Sequence, residues 1–334
     1  MTRKLVDIII PVYKAHDTLF KTLASIAAQT MSDNITVYII NDACPMSDYI
    51  SIINKFSGDL DIILWEISEN SGPGYARQIG LEISDAPYVM FCDADDVFAS
   101  PTAVEILYMN IARNNSNVVG SSFIEQTSPG VYMPHNEDMV WVFNKIYKRQ
   151  FLLDWNIRFP TSRGNEDTCF NRKVIIAHEQ LNKPIISINF ISYLWSNQNK
   201  NSITRANNGF YIYDQNIIGF LEGMSDCVHW MEQQNIKREI VEEQLFGCTI
   251  FLWLFYCSMT TASKEAQYKA FDCMQKFYHE ILSKYNLNWY SDAFYKEYEE
   301  HMNDLKLNPQ FSYKMLLTHC NFWEWVELLK IEKE

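Results

Sequence analysis

The sequence lacks a C-x-x-C pair and any short Cys/His cluster, although it contains eight cysteines. Scattered cysteines of this kind give little support to a disulfide framework or to a structural zinc site. We interpret them as free, buried thiols in a reducing cytosol. The N-terminal apolar run breaks at Pro11 and is too short for a signal peptide. These absences predict a cytoplasmic protein.

No glycine-rich loop follows the first strand-like segment, residues 6–10. This absence argues against a dinucleotide-binding fold, a P-loop and a sugar nucleotidyltransferase. Gly72 and Gly74 follow a later strand, and they do not form G-x-G-x-x-G. The sequence also has no G-x-S-x-G element, so serine hydrolase chemistry has no support.

Basic residues are in the minority: the chain has 28 Lys and Arg against 41 Asp and Glu, so its formal net charge is -13. Such a charge opposes a broad electrostatic grip on nucleic acid or on anionic lipid. Nucleic acid is therefore not an expected partner. One uncharged stretch, 244–263, approaches the length of a membrane span. We interpret it as a buried helix, and the alternative is a helix that faces a membrane.

The first half of the chain alternates strand-like and helix-like segments. Strand-like runs cover residues 6–10, 35–40, 62–65, 88–92 and 118–121, and helix-like patterns cover residues 18–28, 47–56, 74–83 and 101–113. This alternation is typical of an α/β fold with a doubly wound, mostly parallel sheet. Residues 122–141 look irregular, a further helix covers 167–179, and the chain from 208 onward is mainly helical. Ligands bind such sheets at the carboxyl ends of the strands, so the residues after each strand are candidates for chemistry.

Three carboxylates follow the fourth predicted strand, at Asp93, Asp95 and Asp96. Carboxylates this close repel one another unless a cation lies among them, and hard cations such as Mg²⁺ or Mn²⁺ also bind phosphate oxygens. The preceding run 88–91 is apolar, so the cluster follows a buried strand. Metal binding is one interpretation, and an acidic loop that begins the next helix is the other.

Two further polar stretches lie near predicted helix starts. Gly72 and Gly74 permit a tight turn into a helix whose first turns carry Arg77, a side chain that can reach a base or a phosphate. An ordinary loop with a surface arginine explains the same pattern. Glu166 and Asp167 open another helix, where the helix dipole favours anions. A carboxylate there can also serve as a general base.

The order and spacing of these residues resemble glycosyltransferase family 2, whose members have the GT-A fold. The matching segments are Ile8-Ile9-Ile10-Pro11-Val12-Tyr13, Ile40-Asn41-Asp42, Asn70-x-Gly72-x-x-x-Ala76-Arg77, Asp93-x-Asp95-Asp96, Asn144-Lys145-Ile146-Tyr147-Lys148-Arg149, Glu166-Asp167-Thr168, Tyr193-x-Trp195 and Asn201-Ser202-Ile203-Thr204. The resemblance covers residues 5–205, with Gln78 in place of the asparagine that commonly follows the motif arginine. It implies an inverting enzyme that depends on a nucleotide-sugar donor.

The resemblance also implies roles for individual residues. The implied donor-binding residues, with Asp42 and Arg77 at a nucleobase that is usually uracil, are Pro11, Tyr13, Asp42, Gly72, Arg77, Asp93, Ser202 and Thr204. Asp95, together with Asp93, would coordinate the Mn²⁺ or Mg²⁺ that bridges the diphosphate. Asp167 would be the catalytic base, and Glu166 would support the metal or the acceptor.

We therefore expect a glycosyltransferase that moves a sugar from a UDP-sugar to a hydroxyl of a glycan, a lipid-linked sugar or a surface polymer. Two alternatives are an enzyme that glycosylates a nucleic-acid base and a sugar-nucleotide-binding module without turnover. Residues 1–207 would form the GT-A catalytic domain. Residues 208–334 would form a helical region for acceptor binding or oligomerisation, and contact with a membrane surface is a further expectation.

Overall fold

The described part of the chain comprises residues 4–136, 138–162, 164–196, 213–258, 263–307 and 321–331 of a computed structural model. The chain divides into two compact units, residues 1–206 and residues 207–334. The described residues of the first unit hold the β-strands, and those of the second unit form helices. The prediction of a mainly helical C-terminal region is confirmed.

In the described residues of the first unit, nine strands form one sheet. They are β1 (Val6–Val12), β2 (Ile35–Asp42), β3 (Asp61–Ile67), β4 (Tyr88–Phe91), β5 (Val97–Phe98), β6 (Val118–Ser128), β7 (Val131–His135), β8 (Lys145–Lys148) and β9 (Ile186–Trp195). Their hydrogen-bonded order is β3-β2-β1-β4-β8-β6-β9-β5, and β7 pairs with β6 outside this path. Strands β3, β2, β1 and β4 run parallel, β6 and β9 are also parallel, and β8 is antiparallel to β4 and β6. The predicted α/β class with a mostly parallel sheet is confirmed.

The helices predicted in the first half of the chain are all present. Within the described residues, the helices of the first unit are α1 (Leu19–Ala27), α2 (Ser47–Ile53), α3 (Pro73–Ile83), α4 (Ala103–Asn114), α5 (Arg149–Asp154) and α6 (Glu166–Gln180). Helix α3 begins at a proline, whose missing N–H costs nothing at a helix start. Helix α6 carries Glu166 and Asp167 in its first turn, as the sequence predicts.

The central strands are apolar because both faces of the sheet are covered. All eight residues of β2 are buried, and β1 is buried except at the half-buried Pro11. A strand with consecutive buried residues has no solvent-facing side, which explains the continuous apolar runs. At the sheet edge, β3 leaves Ile63 and Trp65 partly exposed.

Residues 122–141, predicted to be irregular, contain a β-hairpin in their described part. Strand β6 continues to Ser128, and the chain turns through Pro129 and Gly130 into β7. Gly130 has a φ of 78°, in the left-handed region that glycine adopts without steric cost. The prediction was wrong here because β7 packs on no core: its first three residues are 37–55% exposed, so they carry no buried alternation.

Gly80 lets helix α3 lie close against the sheet. A Cβ at this position would lie 2.3 Å from Ile9 Cγ2 and 3.3 Å from Ile40 Cγ1. We expect Gly80→Ala to lower the free energy of unfolding by up to about 2 kcal/mol, because an overpacking penalty of about 1–3 kcal/mol outweighs the gain of about 1 kcal/mol in helix propensity. Gly58→Ala is the matched control, since a Cβ there meets nothing within 4 Å. Urea denaturation of both variants tests this, and equal stabilities would contradict it.

The second unit is helical in its described residues. Its helices are α7 (Tyr213–Gln233), α8 (Arg238–Ser258), α9 (Lys264–Glu280), α10 (Asp292–Leu307) and α11 (Phe322–Leu329). Among the described helices, α8 is the one that is long and apolar enough to cross a membrane, by length and composition. Of the residues in its apolar window, 61% are buried inside the structure. Its buried residues include Leu245, Ile250 and Trp253.

Candidate active site

Asp42, at the carboxyl end of β2, holds the turn that leads into helix α3. Its Oδ1 accepts the backbone N–H of Ser71 at 2.8 Å, and its Oδ2 accepts the N–H of Gly72 at 2.9 Å and the amide of Asn70 at 3.0 Å. Gly72 has a φ of 89°, which explains why glycine occupies this turn. Asp42 therefore shapes the backbone at the cleft, and its predicted contact with a nucleobase stays a prediction.

Arg77, in α3, gathers three carboxylates from distant parts of the chain. Its Nη2 donates to Asp93 Oδ1 at 2.6 Å, and its Nη1 donates to Glu166 Oε1 at 3.1 Å and to Asp167 Oδ1 at 2.8 Å. The arginine side chain is 4% exposed, whereas Asp93 keeps 28% exposure. The predicted metal-side carboxylate and the two predicted catalytic carboxylates thus meet on one guanidinium.

Electrostatics at this cluster favour a charged arginine and a proton-accepting Asp167. Burial alone lowers the pKa of Arg77, but Asp167, Asp93 and Glu166 together raise it well above its ordinary value. Burial raises the pKa of Asp167 to about 7, although the nearby Arg77 lowers it. A carboxylate with a pKa near the working pH is suited to general-base chemistry.

Tyr193 of β9 holds the acidic loop after β4, residues 93–96, through its hydroxyl group. The Tyr193 hydroxyl accepts the backbone N–H of Asp93 at 3.0 Å and donates to Asp96 Oδ2 at 2.9 Å. Asp96 Oδ1 accepts the backbone N–H of Ser196 at 2.7 Å. Burial, with Asp95 and Asp93 nearby, raises the pKa of Asp96 well above its ordinary value. Asp96 is therefore a structural anchor, and the half-buried Asp95 lies nearer the surface.

The donor set of this loop fits a divalent cation that shares its coordination with a phosphate group. Among the described residues, no three His, Cys, Asp or Glu side chains converge into a complete protein cage. Mg²⁺ does not need one, because it is commonly held by one or two carboxylates, water and substrate phosphates. Asp93 and Asp95 are the predicted pair of carboxylates. Burial first, and then these two carboxylates, raise the pKa of Asp96, and a cation would offset the part that comes from repulsion.

The 138–144 segment lies against Asp167 and is fixed by buried polar groups. The Nζ of Lys145 donates to Asp138 O at 2.7 Å, to Trp141 O at 2.6 Å and to Asn144 Oδ1 at 3.0 Å. Burial lowers the pKa of Lys145 to about 7. Three acceptors nevertheless require three N–H groups, which only the ammonium form has. The 138–144 segment therefore packs around the buried, positively charged Nζ of Lys145, close to Asp167.

Helix α6 holds the same segment from its other side. Asn171 Nδ2 donates to Val140 O at 3.0 Å and to Trp141 O at 2.9 Å, and Tyr147 donates to Asn171 Oδ1 at 2.8 Å. Asn171 lies one helical turn after Asp167, so both side chains share one helix face. The backbone N–H of Val142 lies 3.4 Å from Asp167 Oδ2. These contacts limit the directions in which the Asp167 carboxylate can point.

The remaining predicted site residues are distributed as follows. Pro11 pairs with Ile40 near the end of β1. Tyr13 comes directly after β1 and is 48% exposed, and the Nζ of Lys14 lies 4.9 Å from its ring centroid. Ser202 and Thr204 lie outside the described residues. Sequence reasoning missed the positioning roles of Tyr193, Lys145 and Asn171. The first two stand in the motif segments, which was the available signal, whereas nothing in the sequence pointed to Asn171.

Residues 7–172 match the family model described as Glycosyl transferase family 2. Among curated proteins, the poly(ribitol-phosphate) beta-N-acetylglucosaminyltransferase TarS of Staphylococcus aureus is 24% identical over 185 residues, covering 51% of this chain and 32% of TarS. Glycosyltransferase GlyA of Streptococcus pneumoniae is 29% identical over 203 residues, covering 53% of this chain and 29% of GlyA. The matched region therefore spans about a third of these relatives' length.

Solved structures share the fold over more of the chain. The S. aureus TarS 1-349 crystal structure in complex with UDP-GlcNAc has a TM-score of 0.65 at 18% identity and covers 84% of this chain and 82% of that one. The mannosyltransferase PcManGT from Pyrobaculum calidifontis, in complex with GDP-Man and Mn²⁺, has a TM-score of 0.52 at 13% identity and covers 98% and 86%. At these identities the likeness establishes the fold, and it confirms the predicted GT-A type.

Proposed function

The chain belongs to glycosyl transferase family 2, and from this membership we propose that it transfers a sugar from a UDP-sugar to an acceptor hydroxyl with inversion at the anomeric carbon. The observation that carries the proposal is the convergence of Asp93, Glu166 and Asp167 on Arg77 at the carboxyl end of the sheet. Asp93, in the loop after β4, would lie on the donor side of the cleft, and Glu166 and Asp167, in helix α6, would lie on the acceptor side. TarS, which binds UDP-GlcNAc in its crystal structure, supports a UDP-sugar donor.

The chemistry assigns a separate task to each group. Asp167 accepts the proton of the acceptor hydroxyl as the new glycosidic bond forms, and Arg77 holds its carboxylate in place. A single base without a nucleophile leads to one displacement, and therefore to inversion. Asp93 and Asp95 would hold a Mn²⁺ or Mg²⁺, which when bound offsets the charge on the leaving diphosphate. The turn at Asp42 and Gly72 shapes the donor pocket.

A donor screen followed by product analysis tests the proposal. UDP-sugars with Mn²⁺ should raise the melting temperature, since a ligand that binds only the folded state stabilises it. GDP-mannose is the matched comparison. The stabilising donor should then release UDP on turnover, and NMR of the product should show an inverted anomeric centre. Stabilisation without any turnover would indicate a binding module, and a retained anomeric configuration would contradict the single-base mechanism.

Asp95→Ala should remove the metal dependence of UDP binding. Loss of a direct ligand should cost more than the roughly 10- to 100-fold loss in metal affinity that follows removal of a supporting group. Calorimetric titration of UDP with and without Mn²⁺ measures the effect. Asp59→Ala, on an exposed loop, matches the change in charge and should leave the affinity unaltered. Equal Mn²⁺ dependence in the two variants would disprove the assignment and direct attention to Asp96.

For location, we propose the cytoplasm. Seven cysteines lie in the described part of the chain, all as free thiols and six of them buried, which is typical of a reducing compartment. The acceptor class that we propose is a glycan, a lipid-linked sugar or a surface polymer, and contact with a membrane surface would suit a lipid-linked one. TarS, a poly(ribitol-phosphate) glycosyltransferase by its name, supports a polymer acceptor.

A further inference from the structure

A stack of aromatic rings runs beside the acidic loop and the base. The ring of Phe143 lies 4.6 Å from that of Tyr193 at an interplanar angle of 10°, and 5.8 Å from that of Trp141 at 8°. Trp195 packs against this stack at an angle, with its ring centroid 4.9 Å from that of Trp141 and an interplanar angle of 48°. Phe143 and Tyr193 are buried, whereas both tryptophans are half-buried. The buried pair thus fixes the plane of the Trp141 indole, and the tilted Trp195 indole contacts it while both still meet solvent.

Each tryptophan is adjacent in sequence to a residue whose backbone contacts a carboxylate of the candidate site. Trp141 precedes Val142, whose N–H is 3.4 Å from Asp167 Oδ2. Trp195 ends β9 and precedes Ser196, whose N–H is 2.7 Å from Asp96 Oδ1. The backbone that follows each indole therefore contacts one of these carboxylates: Asp167 after Trp141, and Asp96 after Trp195.

Trp141 is also held rigidly, which suits a binding surface. Its carbonyl oxygen accepts from Lys145 Nζ at 2.6 Å and from Asn171 Nδ2 at 2.9 Å. Two buried donors on one carbonyl fix the backbone, and Phe143 fixes the ring plane. A surface that is already ordered loses little conformational entropy when a ligand binds.

Resting on the proposed function, we propose that Trp141 and Trp195 form the wall on which the acceptor stacks, and that the acceptor hydroxyl belongs to an uncharged pyranose ring. The C–H bonds on one face of a pyranose carry partial positive charge and match the negative face of an indole. An open-chain alditol has no such flat face. An anionic acceptor would meet Asp93, Glu166 and Asp167 with one shared arginine, in a chain whose net charge is -13.

Saturation-transfer NMR with simple ligands tests the wall directly. The probes are methyl β-glucopyranoside, methyl β-galactopyranoside and the methyl glycoside of N-acetylglucosamine, with ribitol as the open-chain comparison. UDP and Mg²⁺ are present, since Mn²⁺ would broaden the signals. On irradiation of aromatic protons, at least one pyranoside should receive saturation on its axial C–H face, and ribitol should receive little. Trp141→Ala and Trp195→Ala should each weaken pyranoside binding by about 2- to 10-fold.

Two further variants distinguish the loss of ring stacking from a loss of folding stability. Trp141→Phe keeps an aromatic face and should retain most of the pyranoside affinity even where Trp141→Ala is unstable. Trp65→Ala removes a tryptophan that is 46% exposed on the edge strand β3, and it should change nothing. Ribitol that binds as well as every pyranoside, or pyranoside affinity unaltered in both alanine variants, would overturn the inference. UDP titration of the wild-type protein tests the proposed function separately. A lack of UDP binding would contradict the proposed function, and the comparison of pyranoside with ribitol would still stand.

Discussion

Asp167→Asn should reduce sugar transfer by about 10²- to 10⁴-fold while UDP binding stays nearly unchanged. A sugar hydroxyl is a poor nucleophile at neutral pH, so a carboxylate must take its proton in the transition state. Asparagine keeps an oxygen that can accept from Arg77, which now binds Asp167 at 2.8 Å, but it has no basic lone pair for the proton. Single-turnover transfer at saturating donor measures the chemical step.

Glu166→Gln is the matched control for this prediction. Glu166 accepts from the same Arg77 nitrogen as Asp167. Unlike Asp167, it packs against the first turn of α3, since a Cβ added to Gly74 would lie 3.0 Å from the Cβ of Glu166. We expect a smaller loss of rate from Glu166→Gln. A full loss there with near-normal rates in Asp167→Asn would exchange the two roles, and normal rates in both would leave the pair as a helix cap.

The pH profile gives an independent check on the base. Because burial raises the pKa of Asp167 to about 7, kcat/KM should rise as the pH increases through about 7 and level off above it. The sign follows from the mechanism, since only the deprotonated carboxylate accepts a proton. This rise should be missing from the residual activity of Asp167→Asn.

Arg77→Met should cost about 3–5 kcal/mol of folding stability, because it leaves three carboxylates without their shared cation. Methionine roughly preserves the volume, so the loss reports charge rather than a cavity. Arg158→Met is the control: Arg158 pairs with Glu82 at 2.8 Å on the surface, where it is 56% exposed. An exposed pair of this kind is worth about 0–1 kcal/mol. Thermal and urea denaturation of both variants measure the difference.

The stability deficit of Arg77→Met should shrink as the pH falls. A carboxyl whose folded pKa is raised binds its proton more tightly in the folded state, so stability decreases as the pH rises from the unfolded pKa to the folded one. For Asp167 this window already reaches about 7 in the wild type, and loss of Arg77 widens it upward. A variant as stable as Arg158→Met, with weakened UDP affinity, would instead support the nucleobase contact that the sequence predicts for Arg77.

Local patterns were enough to predict the strands and helices that place the cleft. Residues 35–40 form a mainly apolar run that is visible in the sequence without knowledge of its neighbours, and they lie in strand β2, all of whose residues are buried. The hairpin β6–β7 was missed because β7 faces solvent, and no buried alternation marks it. Hydrophobic periodicity reports burial, so an exposed strand escapes it.

The acidic residues that the structure brings together could be singled out from the sequence, but their partners could not. Asp93, Glu166 and Asp167 stand out as acidic groups at element ends, whereas their common partner Arg77 is 90 residues away from Asp167 in sequence. Lys145 was part of a recognised segment, yet its three acceptors become visible only when the 138–144 segment folds over it. Contacts between distant residues depend on the tertiary fold, and one sequence carries little direct record of them.

The position of β6 in the sheet has a consequence for synthesis on the ribosome. This strand pairs in parallel with β9, which ends at Trp195, so one of its edges stays open until that later segment has emerged. At translation rates of about 5–20 residues per second, the interval between Ser128 and Trp195 lasts on the order of 3 to 13 seconds. Throughout that time the nascent chain carries an unpaired strand edge flanked by Val119 and Phe123, which are fully buried in the finished protein. Open apolar edges of this kind promote association between chains, so the growing polypeptide is most exposed to aggregation during this interval.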